Sequence, residues 1–244
     1  MKKGAYFTII LLLSLQVFGQ ESSHNNVWTR ISLIYPSSDQ FKVEAELQKR
    51  WQNEISLDNS KNPFQEDLMN SVRLWANYKY NSKFNFSVSP FAYFQHTSII
   101  SKESDKSKAK SYEVRYTIAS DFKQKILNKT YFFDRLALEY RNFKNNNIDN
   151  VIRLRNKAGI KYEFNSKWTI TAFDEYFVNL NSEDHKHLFD HNRIGLLGNY
   201  SPTKALKMEF GYITISRLPK NKDELMHENN FLVMLYYTFN QNKK

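Results

Sequence analysis

From Val27 onward the chain alternates apolar and polar residues with a period of two, and no stretch carries a convincing helical period. The segment 41–51 is clearest: Phe41, Val43, Ala45, Leu47 and Trp51 share one face, broken only by Lys49, while Lys42, Glu44, Glu46, Gln48 and Arg50 share the other. The same split recurs in Val72 to Tyr80, in Tyr112 to Phe122 and in Ile152 to Phe164. Candidates at 27–35, 84–96, 131–143, 168–180, 191–200, 205–217 and 229–239 bring the total to eleven segments. Such a series predicts an all-β, antiparallel meander.

The connections sharpen this. Short polar turns at 36–40, 81–83, 165–167 and 201–204 alternate with long stretches at 53–65, 97–110, 181–190 and 218–228, and connections of intermediate length fall at 123–130 and 144–150. Short turns at one end and long loops at the other are the arrangement of an outer-membrane barrel. Bacterial single-chain barrels have even strand numbers. The expectation is therefore a single antiparallel up-and-down transmembrane β-barrel of 10–12 strands, with one of the eleven segments misjudged or a short one missed.

Alternation does not say which face points outward, since a soluble barrel hides its apolar face and a membrane barrel turns it to lipid. Three features favour lipid. The segments are long enough to cross a bilayer at a tilt. Aromatics gather at segment ends, as in Trp51, Phe84 with Phe86, Phe94, Tyr131 to Phe133, Phe164 with Trp168, and Tyr200. The last segment ends in Tyr236, Tyr237 and Phe239, which resembles the terminal aromatic signal of inserted barrels.

The amino terminus places the chain in the export route: Lys2 and Lys3, an apolar run centred on Ile9 to Leu15, then Val17 and Gly19 at the positions of a cleavage site. Residues 1–19 read as a signal peptide and 20–244 as the barrel domain. That apolar run is too short for a spanning helix, so a polytopic helical membrane protein is excluded. The mean hydropathy of -0.64 would suit a soluble protein, but 16% aromatic residues in a chain only 41% hydrophobic would not. With no Cys there is no disulfide framework or thiol catalysis. The formal charge is +10; removing Lys2 and Lys3 leaves 33 basic and 25 acidic residues, or +8. On an exported protein such a balance points to lipid or glycan phosphate and small anions rather than nucleic acid.

Several stretches resemble the domain of unknown function 2490 family of exported proteins from Bacteroidetes-type bacteria: a leader ending in Gly-Gln, the early VWTRISLIYP, then EAELQKRW, VIRLRNKAGIKYEF, and DEYFVNL followed by NRIGLLGNY. The resemblance implies an outer-membrane-type barrel and brings no catalytic or binding residues to transfer.

With the apolar face on lipid, the charged face lines the lumen. It carries Lys42, Arg50, Arg73, Lys79, Arg115, Arg135, Arg141, Arg153, Arg155, Lys157, Lys161, Arg193, Lys207 and Arg217 against Glu44, Glu46, Glu113, Asp121, Glu139, Glu163, Glu175 and Glu209, fourteen positive to eight negative. Opposite charges on adjacent strands predict a mutually satisfied network that fills the barrel. The positive excess predicts, beside it, a narrow anion-preferring channel densest at Arg153, Arg155 and Lys157.

Enzymatic chemistry is thin. His96 and Ser98 could pair as base and nucleophile of a lipid hydrolase, an alternative weakened by the missing third member. His185, His187 and His191 with Glu183, Asp184 and Asp190 could meet a metal in a loop, though such histidines are more often solvated, and no metal or cofactor is expected. Lys102, Lys106, Lys108 and Lys110 form a basic loop that could touch lipopolysaccharide. Asp174 is an acid on the outward face, expected to turn inward at a bulge beside Glu175. The expected partners are outer-membrane lipid, lipopolysaccharide and a small anionic solute, with no nucleic acid, and the barrel is expected to be a monomer.

Overall fold

The computed structural model describes residues 23–54, 62–100, 102–144, 149–182, 188–218 and 225–239. The expected signal peptide lies outside these residues, as do Glu183, Asp184, His185 and His187. Eleven strands follow one another: β1 (Ser23–Pro36), β2 (Phe41–Gln52), β3 (Glu66–Lys79), β4 (Phe84–His96), β5 (Ser111–Leu127), β6 (Thr130–Phe143), β7 (Val151–Glu163), β8 (Trp168–Asn179), β9 (Phe189–Tyr200), β10 (Leu206–Arg217) and β11 (Met226–Thr238). A 3-10 turn, Glu103–Asp105, lies between β4 and β5.

Each strand pairs antiparallel with the next, and β1 closes the barrel on β11. That last seam is parallel, running from Ser23 opposite His227 to Ile34 opposite Thr238. In an up-and-down series of odd number the first and last strands run the same way, so closure can only be parallel. Among the described residues the barrel closes on eleven strands, and the expectation of an even, wholly antiparallel barrel is corrected at this one seam. A second correction concerns 123–130. Strand pairing continues through Lys125, Gln124 and Lys123, leaving Asn128 and Lys129 as a tight turn with Lys129 at a positive φ of 61°.

The pleat sends alternate residues to opposite sides, and the two sides differ sharply. Outward lie Ile31, Leu33, Leu47, Leu74, Val88, Ile118, Leu136, Leu138, Leu196, Phe210 and Val233, all exposed. Rows of aromatics bracket this wall. At the short-turn end Trp168 stacks on Tyr200 at 4.4 Å, Tyr162 meets Phe164 at 4.9 Å and Phe84 meets Phe122 at 5.1 Å. Toward the loops Tyr93 stacks on Tyr112 and Tyr116 on Tyr140, each at 6.3 Å. Phe94 and Phe133 do not join these rows: Phe94 is buried under Arg115, and Phe133 packs against the interior apolar cluster.

Pro90 sits inside β4, where a residue without an N–H cannot complete a ladder. The register shifts there, between Ser89 and Ala92 on one side and Leu74 and Ala76 on the other. The bulge also keeps Ser87 and Ser89, then Ala92 and Phe94, on the buried side. No bulge occurs at Asp174, contrary to expectation. It stays in register opposite Ala158 and Ile194, faces outward, and accepts a hydrogen bond from Asn192 Nδ2. Nearby Asn156 Nδ2 donates to Asp134 at 2.8 Å. Each of these two outward acids is thus satisfied by an Asn on the adjacent strand, which answers the cost of a lone carboxyl on an apolar wall.

The interior is not uniformly polar. Trp28, Phe173, Leu197, Ile213, Ile215, Leu232 and Met234 pack into a cluster on the β1 and β8–β11 side. The sequence there runs apolar on both faces, as in FLVMLYY, the pattern of a strand buried on both sides. Backbones come close on this side: a Cβ on Gly211 would collide with the Leu196 carbonyl oxygen and sit 2.7 Å from the Leu197 side chain. Gly211→Ala is expected to destabilise the barrel by about 2–3 kcal/mol, read from urea unfolding followed by tryptophan fluorescence; an unchanged midpoint would contradict this packing.

Candidate lumen site

The charged part of the interior draws most of its residues from β2–β9, and its carboxylates organise it. Glu113 on β5 has no exposed surface. Arg115 Nε donates to its Oε1 at 2.7 Å, Arg141 Nη2 donates to its Oε2 at 2.9 Å, and His96 Nε2 lies 3.2 Å from that same oxygen. Glu139 on β6 is equally enclosed. Arg153 donates to its Oε2 through both Nε and Nη2, at 2.9 and 2.5 Å; Arg155 reaches Oε1 at 3.4 Å, Arg115 at 3.7 Å and Arg73 at 4.0 Å. Glu175 on β8 takes Arg155 Nε at 2.5 Å and Arg193 at 3.6 Å. Burial makes each pair costly unless completed, and the register completes them by placing the partners on adjacent strands, as Arg153 stands opposite Glu139 and Arg193 opposite Glu175.

Nearer the short turns the pairs are simpler. Arg135 meets Asp121 at 2.6 Å, Lys207 meets Glu209 at 3.5 Å, and Lys161 meets Glu163 at 3.4 Å. Glu46 receives Arg30 at 3.1 Å and the Trp75 indole N–H at 3.1 Å. Among the described residues, Glu44, Arg50 and Lys157 make no ion pair; Lys157 instead places its ammonium 3.7 Å from the Phe173 ring centroid.

Three residues belong to this network that sequence reasoning did not place in the lumen, Asp190 among them having been read as a loop metal candidate. Arg30 lies on the Trp28 and Ser32 face of β1, a face the alternation in VWTRIS already marks, and it donates to Tyr236. Glu228 accepts from Arg217 Nε at 2.7 Å, and Asp190 takes Arg153 at 2.9 Å. Both stand in strand extensions, at 226–228 and 189–190, that the hydrophobic pattern does not reach, because their apolar neighbours are too few to set a period.

Three contiguous cavities run along the axis. A funnel of about 790 Å³ opens among the short turns, lined by both signs, including Lys42, Glu44, Lys79, Asp121, Arg135 and Glu209. It shares Arg30, Lys157, Leu197 and Glu209 with a narrow central cavity of about 150 Å³. That cavity shares Arg50, Phe94, Arg115, Arg153 and Arg193 with a vestibule of about 280 Å³ on the loop side. The vestibule lining holds Arg50, Arg115, Arg141, Arg153, Arg193 and Arg217 against the single carboxylate of Glu228, with His96 and His191 beside them. The interior is therefore wide and charge-balanced at one end, narrow and cationic from the middle to the other.

The alternative enzyme pair does not assemble. His96 directs Nε2 to Glu113, and Ser98 offers its backbone carbonyl to Gln52 Nε2 at 2.9 Å; among the described residues no hydrogen bond joins them. Of the loop metal candidates, Asp190 pairs with Arg153 and His191 stacks on Phe177 at 3.9 Å, and the described residues contain no group of three metal-ligating side chains. In the basic loop, Lys106 binds Glu54 at 2.5 Å and Lys108 binds Asp105 at 2.7 Å. The hydrogen bond to Glu54 raises the Lys106 ammonium above its usual range. These contacts, with Gln52 holding Ser98 O and Ile100 N, pin 97–100 and 102–110 beside the vestibule, where Thr97 and Ile99 form part of the lining.

The family model described as "Protein of unknown function (DUF2490)" matches residues 25–242. The chain belongs to that family. This DUF2490 member has no match among curated proteins. Among solved structures it is similar to one described as "NanC porin structure in rhombohedral crystal form", at 13% identity and a TM-score of 0.47, over 84% of this chain and 93% of that one. It is also similar to the anion-selective porin from Comamonas acidovorans, at 10% identity and a TM-score of 0.36, over 82% of this chain and 53% of that one.

Proposed function

We propose that this protein is an outer-membrane barrel whose lumen gives small anionic solutes a narrow passage. The observation that carries the reading is the loop-side vestibule, which adjoins the small central cavity and whose lining holds six arginines and the one carboxylate of Glu228. Several of these arginines share Glu113, Glu139, Glu175 or Asp190 outside that lining. A confined site lined by one sign of charge between low-dielectric walls concentrates counter-ions and rejects co-ions. The exposed apolar wall with an aromatic row toward each end supports placement in a bilayer. The balanced funnel adds width without selectivity, so discrimination falls to the arginine-lined half.

A second reading, a closed structural or interaction barrel, draws on the apolar cluster that fills one side of the interior. Proteoliposome uptake separates the two. Small organic anions are expected to enter at least about tenfold faster than cations of equal size, the low end of electrostatic focusing. Equal rates for both signs would overturn the passage proposal, and exclusion of every solute would favour the closed barrel.

A further inference from the structure

The central cavity has a chemical peculiarity that the surrounding ion pairs do not share. Among the described residues, its buried atoms without a hydrogen-bond partner include Trp28 Nε1, Arg30 Nε, Arg50 Nε, Arg73 Nε and Nη2, and Arg193 Nε. Every one is a hydrogen-bond donor. The nearby carboxylates are already committed, Glu46 to Arg30 and Trp75, Glu175 chiefly to Arg155. Among the described residues, Arg50 has only Gln48 Oε1 at 3.3 Å as a hydrogen-bond acceptor, Arg73 has no carboxylate nearer than 4.0 Å, and Arg193 none nearer than 3.6 Å.

Aromatic rings hold these guanidiniums in place. Arg50 lies 3.6 Å from the centroid of the Trp28 ring and Arg193 lies 5.4 Å from the same ring, while Arg193 also covers Phe177 at 4.4 Å. Arg73 lies 4.9 Å from Trp75 and 5.3 Å from Phe94. A guanidinium that rests on a ring keeps its N–H groups at its edge, free to form a fork with two oxygens of one anion. Arg73 is only 9% exposed, and a buried cation short of a counter-charge is costly.

We infer that Arg50, Arg73 and Arg193, with the Trp28 indole N–H, form a binding site for an oxyanion group, a carboxylate or phosphate carried by the solute. A volume of about 150 Å³ equals the liquid share of roughly five waters, room for such a group without a large body attached. The solute body would extend into the vestibule or the funnel. The inference rests on the lumen being open to solutes from at least one end.

The test is binding to the purified, folded barrel in detergent at constant ionic strength, with chloride replaced stepwise by inorganic phosphate or by acetate. Calorimetric titration is expected to give saturable binding of at least one of the two, with a matching saturable rise in the thermal midpoint. Arg50→Gln is expected to weaken it by about tenfold or more, the loss of one charge-assisted fork. Arg50→Lys, which keeps the charge and the fold but not the fork, is expected to weaken it as well. Failure of both anions to bind saturably, or equal binding by wild type and both variants, would overturn the site. Ion current through the same preparation keeps the two proposals apart: current without saturable binding removes the site and leaves the passage, whereas binding without current removes the passage and leaves the site.

Discussion

Replacing Glu139 by Gln is expected to cost the barrel about 3–5 kcal/mol, the penalty for breaking a buried ion pair by removing one partner. Glu139 has no exposed surface and stands within 4.0 Å of four arginines, with Arg153 bound through two nitrogens. Gln keeps the volume and one acceptor but removes the charge that holds Arg73, Arg115, Arg153 and Arg155 together. Asp190 still reaches Arg153, Glu113 still holds Arg115 and Glu175 still holds Arg155, but Arg153 loses its two-nitrogen contact and, among the described residues, Arg73 keeps no carboxylate within 4.0 Å. Urea unfolding of the lipid-embedded barrel gives the measurement. The double change, Glu139→Leu with Arg153→Met, is expected to cost less than the sum of the two single changes, since the two residues touch and their effects should not add. A loss below about 1 kcal/mol for Glu139→Gln would mean that the network does not depend on this carboxylate.

The second large effect lies on the opposite side of the wall. Ile118 on β5 points outward at 57% exposure, between Val88 and Leu138 on its neighbours. It sits between the aromatic pair Phe84–Phe122 and the pair Tyr93–Tyr112. Ile118→Arg is expected to destabilise the lipid-embedded barrel by about 2–4 kcal/mol, the cost of a cation on the lipid face near the midplane. On a water-soluble barrel the same exposed position would tolerate arginine within about 0.5 kcal/mol. Unfolding in bilayers therefore reads the orientation of the wall directly, and a near-zero change would place water, not lipid, against β5.

Most of the fold was legible because period-two alternation survives wherever one side of a strand is apolar and the other charged. EAELQKRW and VIRLRNKAGIKYEF set both the strands and their lumen faces, and Arg50, Arg153, Arg155 and Lys157 point into the interior as that alternation requires. The pattern was least informative on β9–β11, where both faces are apolar and the inward Leu197, Ile213 and Leu232 cannot be told from their outward neighbours by period alone. Phe94 and Phe133 were misplaced for a related reason: an aromatic near a strand end suits an interfacial row or an arginine-covered lumen equally well. The parallel seam between β1 and β11 was implicit in the eleven segments that the alternation marks, and was missed because the even strand numbers of bacterial single-chain barrels argued against an odd count. Nor could spacing reveal that Arg50, Arg73 and Arg193, on three different strands, would meet at one cavity short of carboxylates.

The central proposal, an arginine-lined passage for anions, is tested most directly by the reversal potential of the wild-type protein in a planar lipid bilayer across a potassium chloride gradient. The six arginines of the vestibule predict a measurable conductance and a reversal potential displaced toward the chloride equilibrium value. A reversal potential at zero, or one displaced toward the potassium value, would contradict it, as would a bilayer that stays silent although folded barrel is inserted.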